Sequence, residues 1–246
     1  MRVDVVTIFP EVFPGPLSAG VMGRARDRGL LDLVVWDLRT FTEDRHRSVD
    51  DLPYGGGVGM VMKPEPFGRA LDAIRAARPD SRPRVLLTTP QGERFTQARA
   101  RALAGLGHLV VLCGRYEGVD ERVSVALGAD EISIGDYVLT GGELPAMVLI
   151  EVVARLLPGA VGQRASVADD SFSAGLLDFP QFTRPAEYRG HAVPEVLLSG
   201  HHEDIRRWRK REAIRRTLGR RPDLIDEASL DDEARALLAE ILGGTG

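Results

Sequence analysis

Three glycine-rich stretches, residues 54–60 (YGGGVGM), 113–119 (CGRYEGV) and 133–143 (SIGDYVLTGGE), could let this chain hold a ligand against its own backbone. Glycine admits close approach and leaves amide donors free. One such stretch would serve equally well as a turn; three together point to a nucleotide-like ligand. The usual fingerprints are missing, however. The first apolar run is followed by Pro10-Glu11-Val12-Phe13 rather than Gly-x-Gly-x-x-Gly, and no Gly-x-x-x-x-Gly-Lys-Ser/Thr follows any run. A dinucleotide dehydrogenase or a P-loop NTPase is thereby disfavoured, leaving another adenosine-bearing ligand or none. Two adjacent carboxylates, Asp169 and Asp170, stand in a small, polar stretch at 162–175 (GQRASVADDSFSAG). Either could act as a base, and composition alone would equally make them solvated linker residues. Cys113 ends an apolar run with no evident histidine partner, so it reads as a small buried residue. His46, His108, His191, His201 and His202 show no metal-ligand spacing, and no structural metal is assigned.

The elements that must position these groups follow from periodicity. Val- and Leu-rich runs at 3–9, 31–38, 84–89 and 109–113 read as buried strands. Between them, 64–78 reads as a helix opened by Pro64 or Pro66 and closed before Pro79. A second helix over 96–104 has Thr96 as its N-cap, and 144–157 reads as a buried or interface helix. Strand and helix in alternation predict an α/β fold, a mostly parallel sheet covered on both faces, with ligands at the carboxyl ends of its strands. The stretch 162–175 predicts a flexible linker between a domain over 1–161 and a smaller all-helical domain over 176–246, built on helices at 203–218 and 231–242.

The chain has 246 residues, 43% apolar and 28% charged, the balance of an ordinary globular protein. Its amino terminus lacks signal-peptide features, and its longest apolar stretch is too short and too charged to span a bilayer. Its single cysteine rules out an intrachain disulfide and a cysteine zinc cluster. These features fit a cytoplasmic protein without a membrane partner. Net charge is −4, against nonspecific coating of nucleic acid, yet nine Arg and Lys crowd into 206–221 while 222–240 is acidic. That pattern allows a phosphate-binding band or a helix face with local ion pairs.

Read together, CGRYEG (113–118), DERV (120–123), SIGDYVLTGGELPAM (133–147), DSF (170–172), GLLDFPQFTRP (175–185) and LLSGHH (197–202), with YGGGVGM, resemble the bacterial tRNA (guanine-N1)-methyltransferases of the knotted SPOUT superfamily. The resemblance runs from residue 1 to about 221. It implies a deep trefoil knot, a homodimer whose subunits share the active site, and methyl transfer from S-adenosylmethionine to N1 of guanine 37, just 3′ of the anticodon of tRNA. It also implies a cofactor cradle of Thr89, Pro90, Gly114, Tyr116, Ser133, Ile134, Gly135, Asp136, Tyr137, Val138, Leu139, Gly141 and Gly142. By the same match Asp170 is the general base, with Asp169 its competitor, and Arg155 lies near the guanine. Glu117 sits at the edge of the site, while Asp178, Ser199 and Gly200 hold the guanine or its neighbour. The family is described as magnesium-dependent, though the sequence shows no dedicated ion site. In this light the basic band at 206–216 is expected to grip the anticodon arm. Two other readings remain: a relative methylating another RNA position, and an RNA-binding protein without turnover.

Overall fold

The computed structural model describes residues 1–161, 171–172 and 175–243, and the chain divides into two compact units, Met1–Gly162 and Gln163–Gly246. The first unit is an α/β fold around a five-stranded parallel sheet. Its strands are β1 (Arg2–Thr7), β2 (Asp32–Asp37), β5 (Arg84–Arg94), β6 (His108–Cys113) and β7 (Asp130–Ser133), in the spatial order β2-β1-β6-β5-β7. A two-stranded ladder, β3 (Asp50–Asp51) with β4 (Val61–Met62), stands apart from it.

Alternation along the strands builds two cores. Val3 and Val5 enter one apolar cluster and Val6 the other; Leu109, Val111 and Cys113 oppose Val110 and Leu112, and Leu86 opposes Val85 and Leu87. The first face is covered by α1 (Gly20–Asp27), α3 (Gln97–Ala104) and α5 (Glu143–Arg155), the second by α2 (Pro64–Ala77) and α4 (Arg122–Leu127). Helix α2 shows why: Phe67, Ala70, Leu71 and Ile74 recur at helical spacing and all are buried. Pro64 fits its first turn, where no amide donor is needed. The Thr96 hydroxyl accepts from the Arg99 amide at 3.3 Å and caps α3. No helix among the described residues is long and apolar enough to cross a membrane.

Strand β5 outruns its expected end at Thr89. The ladder to β7 breaks between Thr88 and Glu93 and resumes at Glu93 and Arg94, so residues 89–92 bulge out of the sheet at its carboxyl end.

The opposite end of the sheet is closed by a buried charge. Asp4 is fully buried on β1; it takes a two-pronged bond from Arg2 (2.6 and 2.7 Å), one from the Trp36 indole (2.6 Å), and pairs with His108 Nε2 at 2.7 Å. Ser81 bonds the other imidazole nitrogen. Burial pushes the Asp4 carboxyl up, but the bonds from Arg2, Trp36 and His108 outweigh it and hold the group below its ordinary value. A folded value below the unfolded one, about 3.9, gives stability that is present above that pH and lost as pH falls through the lowered value. Asp4→Asn is expected to lower the melting temperature at pH 7 by roughly 6 to 12 °C, for about 3 kcal/mol lost from a buried pair. It should also flatten the acid limb of the stability profile. Calorimetry of both proteins from pH 3 to pH 7 checks this, and parallel acid limbs would contradict it.

The second unit holds the long helix α6 (His202–Arg220) and α7 (Asp232–Gly243), joined through Ile214, Leu230, Ala234, Leu237, Leu238 and Ile241. It is not all-helical. Residues 176–201 run largely irregular and carry a hairpin, β8 (Glu187–Tyr188) with β9 (His191–Ala192), whose turn residues Arg189 and Gly190 both have positive φ. Pro180, Pro185 and Pro194 keep helix out of this stretch. Of the expected linker at 162–175, only Ser171, Phe172 and Gly175 fall within the described residues.

Candidate active site

The segments that follow β5, β6 and β7 converge on a cavity of about 410 Å³ at the carboxyl end of the sheet. The bulge supplies Thr89, Pro90 and Gln91, the loop after β6 supplies residues 114–121, and the loop between β7 and α5 supplies most of the far wall. Backbone conformation shapes it: Gly118 and Gly135 have φ of 131° and 147°, and Tyr116, at 60°, is held in the left-handed region that side chains seldom adopt.

The walls are locked by contacts too close for a side chain. The Gly142 amide donates to the Gly114 carbonyl at 2.8 Å, and the Gly142 carbonyl accepts from the Thr88 hydroxyl at 3.3 Å. A Cβ on Gly142 would fall 2.1 Å from that hydroxyl and 2.9 Å from both Cys113 Cα and the Gly114 nitrogen. Beside it, Arg115 donates to the Thr140 carbonyl at 3.1 Å, lies over the Phe9 ring at 4.5 Å, and faces Glu143 Oε2 across 3.3 Å. Glu143 is 4% exposed and takes a 2.8 Å bond from the Thr7 hydroxyl. As the first residue of α5 it also gains from the helix dipole. Cys113 is wholly buried, and burial, then Glu143, pushes its thiol well up, so it is no nucleophile.

Of the residues singled out in the sequence, Thr89, Pro90, Gly114, Tyr116, Glu117, Ser133, Ile134, Gly135, Tyr137, Val138, Leu139, Gly141 and Gly142 all line this one cavity. Asp136 does not; it is exposed on the same loop. The stretch 54–60 abuts the cavity rather than lining it. The Glu117 amide donates to Met60 at 3.0 Å, and a Cβ on Gly59 would strike the Glu117 side chain. Arg155 closes the last turn of α5, so twelve residues at about 1.5 Å rise put it roughly 18 Å along the helix from the cavity side. Asp178, Ser199 and Gly200 belong to the second unit. There Asp178 accepts from the Phe179 amide at 2.8 Å, Ser199 donates to the Val196 carbonyl at 2.8 Å, and Gly200 turns with φ 76°. Asp169 and Asp170 lie outside the described residues. Gln91 and the buried pair Thr7–Glu143 went unread in the sequence, and Arg115 was read only as part of the loop 114–116. Only Glu143, an acid opening an apolar helix, carried a local signal.

The basic band is largely internal to its own unit. Arg206 binds Glu203 and Glu233, Arg207 binds Glu240, Lys210 binds Asp231 and Glu233, and Arg215 binds Glu212. Arg206 and then Lys210 draw the Glu233 carboxyl down to about 2. The acidic 222–240 stretch thus pairs with Arg206, Arg207 and Lys210, while Arg209, Arg211, Arg216 and Arg220 form no ion pair among the described residues. Among the described residues no group of three or more His, Cys, Asp or Glu is placed to hold a metal ion.

Comparison with known proteins agrees with the geometry. Residues 1–227 match the family described as tRNA (Guanine-1)-methyltransferase TrmD. A tRNA (guanine-N(1)-)-methyltransferase of Heliobacterium modesticaldum is 55% identical over 249 residues, covering 100% of this chain and 92% of its own. Those of Geobacillus kaustophilus and Pelotomaculum thermopropionicum are 52% and 54% identical, each over 98% of this chain and over 98% and 96% of their own lengths. With matches of that extent, this chain belongs to the tRNA (guanine-1)-methyltransferase TrmD family.

Proposed function

We propose that this chain transfers the methyl group of S-adenosylmethionine to N1 of guanine 37, immediately 3′ of the anticodon of tRNA, and works in the cytoplasm as a homodimer. The observation that carries the reading is the cavity at the carboxyl ends of β5, β6 and β7, lined by Gly114, Gly118, Gly135, Gly141 and Gly142 among other residues. Gly135, Gly141 and Gly142 are packed so tightly into its wall that a Cβ on any of them would lie 2.7 Å or less from a neighbouring atom. A cradle of Thr89, Pro90, Gly114, Tyr116 and residues 133–142 suits an adenosine-bearing group held by amides. When bound, S-adenosylmethionine supplies an electrophilic sulfonium methyl.

Guanine N1 is protonated at neutral pH, so a base must accept that proton; Asp170 takes this role. Negative charge then builds toward guanine O6, where a guanidinium stabilises it. Arg155 takes this role; it lies roughly 18 Å along α5 from the cavity side of its own chain, so the role depends on an active site shared between the two subunits. An apolar hollow next to the cavity supports such pairing: Leu17, Val21, Leu139, Leu144, Met147 and Val148 line it, and Leu144 and Val148 are 57% and 41% exposed. Glu117 borders the guanine, and Asp178, Ser199 and Gly200 hold it or its neighbour. On this reading 1–161 is the cofactor domain, 162–175 a flexible linker and 176–246 the tRNA-binding domain. On the same reading the chain carries the deep C-terminal trefoil knot of the SPOUT superfamily. A magnesium requirement would have to be met without a dedicated protein site.

Methyl incorporation into tRNA transcripts bearing guanosine or adenosine at position 37 tests the target. Incorporation is expected with guanosine alone. Equal incorporation into both would point to another RNA position, and failure to bind the cofactor in calorimetry would point to a non-catalytic RNA-binding protein.

A further inference from the structure

Within the second unit a hollow of about 280 Å³ opens between α6 and the irregular segment before it. One face of α6 is used against α7, through Ile214 and its neighbours. Ile205, Trp208 and Arg209, at helical spacing, turn instead toward residues 179–198 and line the hollow. Trp208 and Phe182 stand 6.3 Å apart at 52°, tilted rather than stacked, which leaves ring faces open. Phe182 is 47% and Leu198 63% exposed. Arg209 lies over the Phe179 ring at 5.0 Å, and Arg184 completes the rim.

The charge of this rim is uncompensated, as it is at Arg211, Arg216 and Arg220 elsewhere on α6, which also form no ion pair among the described residues. Arg206, Arg207, Lys210 and Arg215 are each tied to a carboxylate, whereas Arg184 and Arg209 form no ion pair among the described residues and no Asp or Glu lines the hollow. Open aromatic faces suit a flat, uncharged ring, and two uncompensated guanidiniums suit an anion attached to it. The occupant that joins both is a nucleotide. The hollow falls just under the roughly 300 Å³ at which pockets begin to enclose whole drug-sized ligands, so it suits one base with its phosphate outside. We infer that the hollow bounded by Phe179, Phe182, Trp208 and Arg209 takes an unpaired nucleobase of the tRNA anticodon loop, distinct from the methylated guanine. This inference rests on tRNA being the substrate. It assigns α6 a recognition role that comes from stacking at one point rather than from its total basic charge.

The test pairs full-length Trp208→Ala, Trp208→Phe and Phe182→Ala variants with tRNA transcripts made abasic at one anticodon-loop position at a time, reading affinity by fluorescence anisotropy. Trp208→Ala is expected to weaken intact tRNA roughly 5- to 150-fold, the range for loss of one base–aromatic stack. S-adenosylmethionine affinity and melting temperature should hold, Phe182→Ala should weaken binding in the same direction, and Trp208→Phe should retain most of it. One abasic transcript should weaken the wild type by a similar factor and be bound equally by wild type and Trp208→Ala. If Trp208→Ala binds intact tRNA like the wild type, or loses the same factor on every abasic transcript, the inference is overturned. Normal methylation of guanine 37 by the wild type alongside that result would sink this inference alone; absence of tRNA binding by the wild type would sink the substrate reading with it.

Discussion

Replacing Asp170 by asparagine is expected to slow methyl transfer to tRNA by roughly 10²- to 10⁴-fold, the contribution of a positioned general base, with cofactor affinity unchanged. Asparagine keeps the size and the hydrogen-bonding oxygen but cannot accept a proton at neutral pH. The loss should therefore appear in the single-turnover rate of the methylation step and leave tRNA affinity nearly intact. The neighbouring Asp169→Asn separates the two carboxylates, since only the side chain that takes the N1 proton should show the full effect. A single-turnover series from pH 6 to pH 9 on wild type and both variants settles the assignment. An Asp170→Asn enzyme with wild-type rate, or the full loss at Asp169 instead, would remove Asp170 from the mechanism.

A single methyl group at Gly142 is expected to weaken S-adenosylmethionine binding on the order of 100-fold, as forced overpacking costs about 1–3 kcal/mol. The Thr88 hydroxyl could rotate away from the new Cβ. Cys113 Cα and the Gly114 nitrogen, 2.9 Å from it, are backbone and can yield only if the ends of β5 and β6 move apart from α5. Those ends form the cavity wall, so the strain falls on the cradle. Gly68→Ala in α2 is the matched control: its Cβ would meet nothing within 4 Å, and alanine favours the helix. Isothermal titration of cofactor into both variants should show the loss at 142 only; equal affinities would mean that the loops adjust freely.

How far the sequence revealed this molecule depends on where each signal resided. Strand runs such as 109–113 were legible because burial on both faces leaves a continuous apolar run, and the helix at 64–78 because prolines mark both its ends. Of the glycine stretches, 113–119 and 133–143 supply walls of one cavity while 54–60 only abuts it; that convergence is a property of sheet order that no local pattern records. Strand β7 was missed because it is four residues long and begins Asp130-Glu131. The extension of β5 was missed because Pro90, Gln91 and Gly92 are poor strand formers. Gly92 is tolerated there for a non-local reason: a Cβ would lie 2.3 Å from the Glu131 carbonyl carbon and the Ile132 nitrogen. The all-helical reading of the second unit failed on its prolines and on the Arg189–Gly190 turn. The basic band was visible as charge, but its partial neutralisation depends on α7 folding back along α6.

The position of β1 has a consequence for how the protein is made. Arg2 pairs across to His108, 106 residues later, and Asp4 finds its imidazole partner only on that same strand. At ribosomal speeds of about 5–20 residues per second, the first strand emerges roughly 5 to 20 seconds before the neighbour that shields it. During that interval a Val-rich strand and an acid still without its imidazole partner are exposed on the nascent chain, with β2 as the one sheet neighbour already made.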